Sequence, residues 1–282
     1  MTYGAHIFLW QEWWIADVVT LLERARGLGL EFVEVAVGDD YIFDAASIGK
    51  AALDLGLALS ASPGGIWPME CDLSLPDPAD RARGQAWHRR MVDQTAAMGG
   101  MAYTGALYGH PGHVERRKPT ADEYQWIAEG LHDLATYAEP LGVEIVIEPM
   151  SHFRTHLVNR PEQAMHLLDL ADHLNLGILL DTYHLTTEVR DYAAAMRTAA
   201  PRLWGIHACE SDRGVPGGGI VPWEAVAKGL RAGGFDGYVA MESYNSSDNG
   251  FAERRGLFND PCPNGDEFVN TGLAFMRDLL GG

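Results

Sequence analysis

The chain has 282 residues, 47% of them hydrophobic, and a formal net charge of −18. That length is generous for an ordinary domain and normal for one α/β barrel. An excess of carboxylates repels phosphate backbones and anionic lipid, which argues against nucleic acid and membrane surfaces as partners; a small substrate meets only the local charge of its cleft. No apolar run has membrane-spanning length. The opening MTYGAHIFLWQEWW has neither a basic lead nor a small-residue cleavage site, so a cytoplasmic protein is expected. Cys71, Cys209 and Cys262 are odd in number and widely spaced, which fits neither a disulfide framework nor a cysteine-based zinc site.

Short apolar runs of β type alternate with longer stretches of helical period. HIFLW (6–10) is the first strand candidate, and residues 14–28 follow as a helix with Val18, Leu21, Leu22 and Ala25 on one face. FVEVAV (32–37) precedes a shorter helix over about 45–55, and LALSAS (57–62) precedes a long polar-faced one over 78–98. AYTGAL (102–107) leads to a helix over 122–140 that groups Trp126, Ile127, Leu131 and Leu134. EIVIEP (144–149), LGILLD (176–181), WGIHAC (204–209) and YVAMES (238–243) are the remaining strands, with helices over 161–172, 191–200, 222–233 and 265–280. Gly29, Gly56, Gly99, Gly142 and Gly233 stand where a left-handed residue closes a helix cheaply, and Pro161 and Pro222 where a missing N–H does no harm. Strands apolar on both faces suit a parallel sheet covered by helices. Eight such units predict a single (β/α)8 TIM barrel spanning residues 1–282, since a doubly wound sheet usually has a Gly-rich turn after its first strand and none follows HIFLW.

Barrel enzymes place catalytic groups at the C-terminal strand ends. In this chain the fifth to eighth strands end in or carry Glu148, Asp181, His207 and Glu242, separated by 33, 26 and 35 residues, each about one βα unit. A lone carboxylate there is often a helix cap, and a lone strand histidine is often a satisfied core residue. Together, three carboxylates in apolar runs would each carry a large desolvation cost unless a shared cation partners them. The set is mostly oxygen and predicts one divalent metal ion, Mn²⁺, Mg²⁺ or Co²⁺. His184 follows just above the rim. The loop ACESDRGVPGGG offers Glu210 and Arg213, and PMSHFRTH offers His152, Arg154 and His156. His184 and Arg213 are candidate partners of substrate hydroxyls; a helix cap and a solvated loop charge are their plain alternatives. His110 and His113 read as a polar loop. PGGGIVPW lacks the spacing and lysine of a P-loop and reads as a turn into the next helix. Phe8, Trp10, Trp13, Trp14 and Trp67 are candidates for an apolar wall above the metal, or for ordinary barrel-to-helix packing.

The chain resembles the xylose-isomerase-like barrel superfamily, and within it the ketose 3-epimerases (D-tagatose and D-allulose 3-epimerases). The resemblance is carried by LLDTYH (179–184), HACESDRGVPGGGIVPW (207–223), Gly4 with Trp10 and Trp14, and HLVN (156–159). It implies a single metal, Mn²⁺ first, held by Glu148, Asp181, His207 and Glu242, with His184 and Arg213 on substrate oxygens. Two positions depart from the epimerases: Arg154 stands where they usually have a second glutamate, and His6 where they often have a tyrosine. Glutamate to arginine turns an acceptor into a five-donor fork, which directs attention to an anionic, carbonyl-rich or glycosylated substrate. The expected chemistry is C3 epimerisation of a ketose through a metal-stabilised enediolate, with Glu148 and Glu242 as the acid/base pair. The alternative is elimination from a 3-keto-glycoside, as in C-glycoside deglycosidases, with His6, His152 and Arg154 serving that substrate. A hydrolase like the AP endonucleases fits the −18 charge poorly. The acidic surface leaves open a homo-oligomer, or a hetero-oligomer with a small subunit if the deglycosidase chemistry applies.

Overall fold

The computed structural model describes residues 1–10, 17–39, 44–64, 67–245 and 258–281. Eight parallel strands close into a barrel in chain order: β1 (Thr2–His6), β2 (Phe32–Val37), β3 (Ala58–Pro63), β4 (Ala102–Gly105), β5 (Glu144–Ile147), β6 (Leu176–Asp181), β7 (Leu203–Ala208) and β8 (Tyr238–Met241). The ring closes where β1 pairs with β8, Thr2 opposite Tyr238. The outer helices are α1 (Val18–Gly27), α2 (Ala45–Leu55), α3 (Pro78–Ala97), α4 (Ala121–Ala138), α5 (Pro161–Ala171), α6 (Thr182–Glu188), α7 (Tyr192–Ala199), α8 (Trp223–Ala232) and α9 (Gly265–Leu280). Among the described residues no helix is long and apolar enough to cross a membrane. Cys71, Cys209 and Cys262 are all buried free thiols.

The period of two in each strand divides the core. On β2, Val33, Val35 and Val37 join the large cluster between sheet and helices. Phe32 and Glu34 point the other way, into the barrel. Ala102, Val146 and Leu179 form a separate small cluster in the lower barrel. Counting two residues up each strand from these apolar positions reaches Thr104, Glu148 and Asp181. The upper layer of the barrel is therefore polar, and the lower layer seals it from below.

Helix boundaries follow the residues that satisfy exposed backbone groups. Asp17, Asp44 and Asp77 cap α1, α2 and α3 through side-chain oxygens. Thr120 and Glu123 form a reciprocal capping box on α4. Gly29, Gly56, Gly99 and Gly142 have positive φ, as expected of residues closing helices. Gly233 instead stays right-handed, at φ −84°, and the left-handed turn falls to Gly234; glycine is needed at 233 for space, since a Cβ there would lie 2.7 Å from that of Ala200.

Two sequence expectations shift. The first strand is Thr2–His6, not 6–10, and Ile7–Leu9 turn as a 3₁₀ helix. The cause is local: the Phe8 N–H donates to His6 Nδ1 at 3.1 Å, which caps that turn and buries Ile7, Phe8 and Leu9. Gly4 belongs to this strand, paired with Phe32 and Ala240, and must be glycine because a Cβ there would sit 2.2 Å from the Phe32 ring. Helix α6 starts directly at Thr182, with Asp181 as its N-cap, a helix the ligand spacing leaves unannounced. Trp13 and Trp14, and the start of the helix expected over 14–28, lie outside the described residues.

Candidate active site and metal centre

Glu148, Asp181, His207 and Glu242 meet at the C-terminal mouth of the barrel, each offering a ligand atom within 4.8 Å of the others. All four are buried. Their elements are locked from behind. The Tyr108 hydroxyl donates to the Glu148 carbonyl at 2.9 Å, and the Glu148 N–H to the Gly105 carbonyl. Thr182 Oγ1 ties β6 to β7 by donating to the Cys209 carbonyl at 2.6 Å. Asp181 Oδ1 accepts the Tyr183 N–H at 2.8 Å, so this residue both caps α6 and aims Oδ2 into the site. The plain reading of a strand-end carboxylate as a cap thus holds for one of its two oxygens.

The donor set fits a cation. His207 Nδ1 lies 3.1 Å from Glu242 Oε2 and 3.7 Å from Glu148 Oε1. A lone pair cannot face two carboxylate oxygens unless a proton or a metal ion stands between them. Among the described residues, buried His207 Nδ1 makes no hydrogen bond, and buried Asp181 Oδ2 makes none beyond its ion pair with Arg213. Burial followed by the neighbouring carboxylates Glu242 and Asp181 pushes Glu148 up to about 7, although His207 draws it down. Asp181 is likewise raised by burial. Glu242 goes the other way: burial disfavours its charge, but Arg213 and His207 outweigh that and hold it well below the usual carboxylate range.

Arg213 is the built-in counter-charge. Its Nη1 lies 2.5 Å from Glu242 Oε2 and 2.7 Å from Asp181 Oδ2. Its guanidinium stacks over Tyr183, 4.2 Å from the ring centroid. The residue has φ 68°, an uncommon conformation for a side chain of this size. The loop enforces it: the Arg213 N–H donates to the Glu210 carbonyl, and Ser243 Oγ to the Arg213 carbonyl at 2.7 Å. His184 receives the Ser151 N–H on Nδ1 at 3.2 Å, so its proton sits on Nε2, which faces Asp181 Oδ2 at 3.7 Å and Glu148 Oε1 at 3.9 Å. Burial, then the Arg213 charge, keep this imidazole neutral, its pKa well below the ordinary value. It is thus a fixed neutral donor beside the ligands.

Above the ligands opens a cleft of about 690 Å³ including its mouth. His6, Trp67, Arg154, His184 and Arg213 line it together with Phe8, Ser62, Met150, Tyr183 and Tyr244. Three other sequence candidates lie elsewhere. His152 is exposed and pairs with Glu188 at 2.7 Å. Trp10 donates its indole N–H to Asp266 at 2.9 Å and does not line the cleft. Glu210 is buried away from the cleft, where it accepts from the Gly217 and Val221 N–H groups and from Trp223 Nε1 at 2.7–3.0 Å. The PGGGIVPW turn therefore already surrounds an anion of its own. Glu210→Ala would strand these buried donors and is expected to cost about 2–4 kcal/mol, read as a lower urea midpoint at unchanged slope. The pair His110 and His113 is occupied by the Trp67 carbonyl and Asp72.

One buried carboxylate falls outside the ligand spacing. Glu34 is fully buried in the barrel, 3.2 Å from His207 Nε2. Its signal was present, an acid in the apolar run FVEVAV, but β2 contributes no partner at the one-unit spacing that groups the other four.

The xylose isomerase-like TIM barrel model matches residues 22–279. The chain belongs to this family. Within the family it is similar to a D-psicose 3-epimerase of Agrobacterium fabrum, 30% identical with both chains covered completely. It is also 30% identical to a ketose 3-epimerase of Arthrobacter globiformis, covering 99% of this chain and 97% of that one. The crystal structure of a D-psicose 3-epimerase from Clostridium cellulolyticum H10 with D-tagatose superposes with a TM-score of 0.91 at 25% identity, over 99% of each chain.

Proposed function

We propose that this family member is a ketose 3-epimerase that works with one divalent metal ion, Mn²⁺ before Co²⁺ or Mg²⁺. The observation that carries the reading is the placement of two buried glutamates directly after β5 and β8, strands three places apart around an eight-membered ring. They approach the cleft from well-separated directions. The ion, held by Glu148, Asp181, His207 and Glu242, would supply Lewis-acid stabilisation of negative charge developing on substrate oxygens. The mostly oxygen donor set with one imidazole favours Mn²⁺.

The chain's own groups perform the proton transfers. One of Glu148 and Glu242 takes the C3 proton from its side of the substrate, leaving an enediolate. The other delivers a proton to the opposite face, which inverts the carbon. The roles exchange in the reverse direction. His184 Nε2–H and the Arg213 guanidinium donate to substrate oxygens, and Trp67, Phe8 and Tyr244 exclude water from the reactive intermediate. Arg154 and His6 also line the cleft and govern which ketose is accepted.

The test is product analysis with Mn²⁺-loaded protein on a panel of ketohexoses and ketopentoses, beside a 3-keto-glycoside. Inversion at C3 of at least one ketose is expected. Release of the aglycone from the keto-glycoside, with no ketose epimerised, would replace this reading by the eliminating one.

A further inference from the structure

Glu34 is expensive to place. It has no exposed surface, and one polar side chain from each of β1, β3, β4 and β7 faces it. Ser60 Oγ and Thr104 Oγ1 each donate to Oε2 at 3.1 Å. Oε1 faces two imidazole nitrogens, His207 Nε2 at 3.2 Å and His6 Nε2 at 3.7 Å. Glu34 Oε1 and His207 Nε2 are both buried, and neither makes an aligned hydrogen bond among the described residues, so their 3.2 Å approach is a close ion-pair contact. His6 Nδ1 is occupied by the Phe8 N–H, so the His6 proton is on Nε2, where Ser62 Oγ stands at 3.0 Å. A carboxylate whose second oxygen is pinned by two hydroxyls has a fixed aim.

We propose that Glu34 is the positioning residue of the metal centre. It holds the His207 proton on Nε2 and so presents the bare Nδ1 to the ion. Its negative charge also makes that imidazole a stronger donor, as a carboxylate behind a metal-bound histidine does. Because the same oxygen faces His6, the orientation of the cleft wall and that of the metal ligand share one anchor. The proposal rests on the metal-dependent reading above, but it concerns binding and is measurable without turnover.

The experiment uses the full chain, stripped by chelator and reloaded. Glu34→Gln keeps the shape and removes the charge. Mn²⁺ dissociation constants from chelator competition are expected to rise about 10- to 100-fold. Thr104→Val keeps the carboxylate and loosens its aim, with a smaller rise. In Mg²⁺-loaded protein, the imidazole ¹⁵N resonances of His207 should report protonated Nε2 and coordinated Nδ1 in the wild type, and a changed pattern in Glu34→Gln. A merely structural carboxylate would move the thermal midpoint without altering these resonances. Affinity within twofold of wild type together with an unchanged ¹⁵N pattern in Glu34→Gln would overturn the proposal. Wild-type protein that binds Mn²⁺ tightly yet epimerises no ketose would remove the epimerase reading and leave Glu34 to be judged on affinity alone.

Discussion

Glu148→Gln and Glu242→Gln are each expected to lose roughly 10³-fold in kcat for epimerisation, measured at saturating Mn²⁺, while the fold is retained. Glutamine occupies the same volume, so the barrel rim is undisturbed. It cannot accept the carbon-bound proton, and positioned general acid–base catalysis contributes about 10²–10⁴-fold. Saturating metal matters because both residues are also proposed ligands, and a weakened site must not be mistaken for a lost base. Hydrogen exchange separates the two roles. With two bases on opposite faces, each variant should still exchange the C3 hydrogen of one epimer with solvent, the epimer whose base remains, while inversion is lost. The two variants should exchange opposite epimers. Undiminished epimerisation by Glu242→Gln would remove the two-base assignment, and exchange of both epimers by one variant would point to a single base.

Loading the protein with Mn²⁺ is expected to raise its thermal midpoint by about 5–10 °C, and chelation to reverse this. Glu34, Glu148, Asp181 and Glu242 are all buried at the barrel mouth, and Arg213 contacts only two of them. Like charges in a poorly solvated site oppose folding unless a cation partners them. A ligand bound only by the folded state contributes about 2.7 kcal/mol at 100 times its dissociation constant. At about 2–4 °C per kcal/mol for chains near this size, that gives the expected shift. Mg²⁺ at equal concentration should give a smaller one, because it is the harder ion and the set includes an imidazole. Asp181→Asn keeps the α6 cap, since an amide oxygen also accepts the Tyr183 N–H, and should abolish most of the response. An Mn²⁺-independent midpoint in the wild type would count against a metal at these four residues.

The barrel and its four rim residues are legible in the sequence because both depend on periodicity. Alternating apolar runs and amphipathic stretches announce βα units, and a carboxylate or imidazole at each late strand end repeats at the unit spacing. Local chemistry explains where that reading slips. HIFLW has the composition of a strand, but the His6 side chain captures the Phe8 N–H and turns the run into a 3₁₀ helix. Glu210 and Arg213 are three residues apart on one loop, yet Glu210 turns inward to the glycine turn while Arg213 reaches the ligands. Loop residues carry no period from which their direction can be read.

The sequence by itself therefore determined the eight-unit barrel, the rim on which the chemistry sits and the four side chains that converge there. These follow from strand parity and unit length, which are properties of neighbours along the chain. Only the tertiary structure decided that Glu34 stands behind His207, that Arg213 bridges Asp181 and Glu242, and that Arg154 and His6 face the cleft whereas His152, Trp10 and Glu210 do not. Those relations join strands that are not neighbours in a closed ring and loops of irregular path. Their distances are set by barrel closure and by competition for buried hydrogen-bond donors, neither of which leaves a spacing in the sequence.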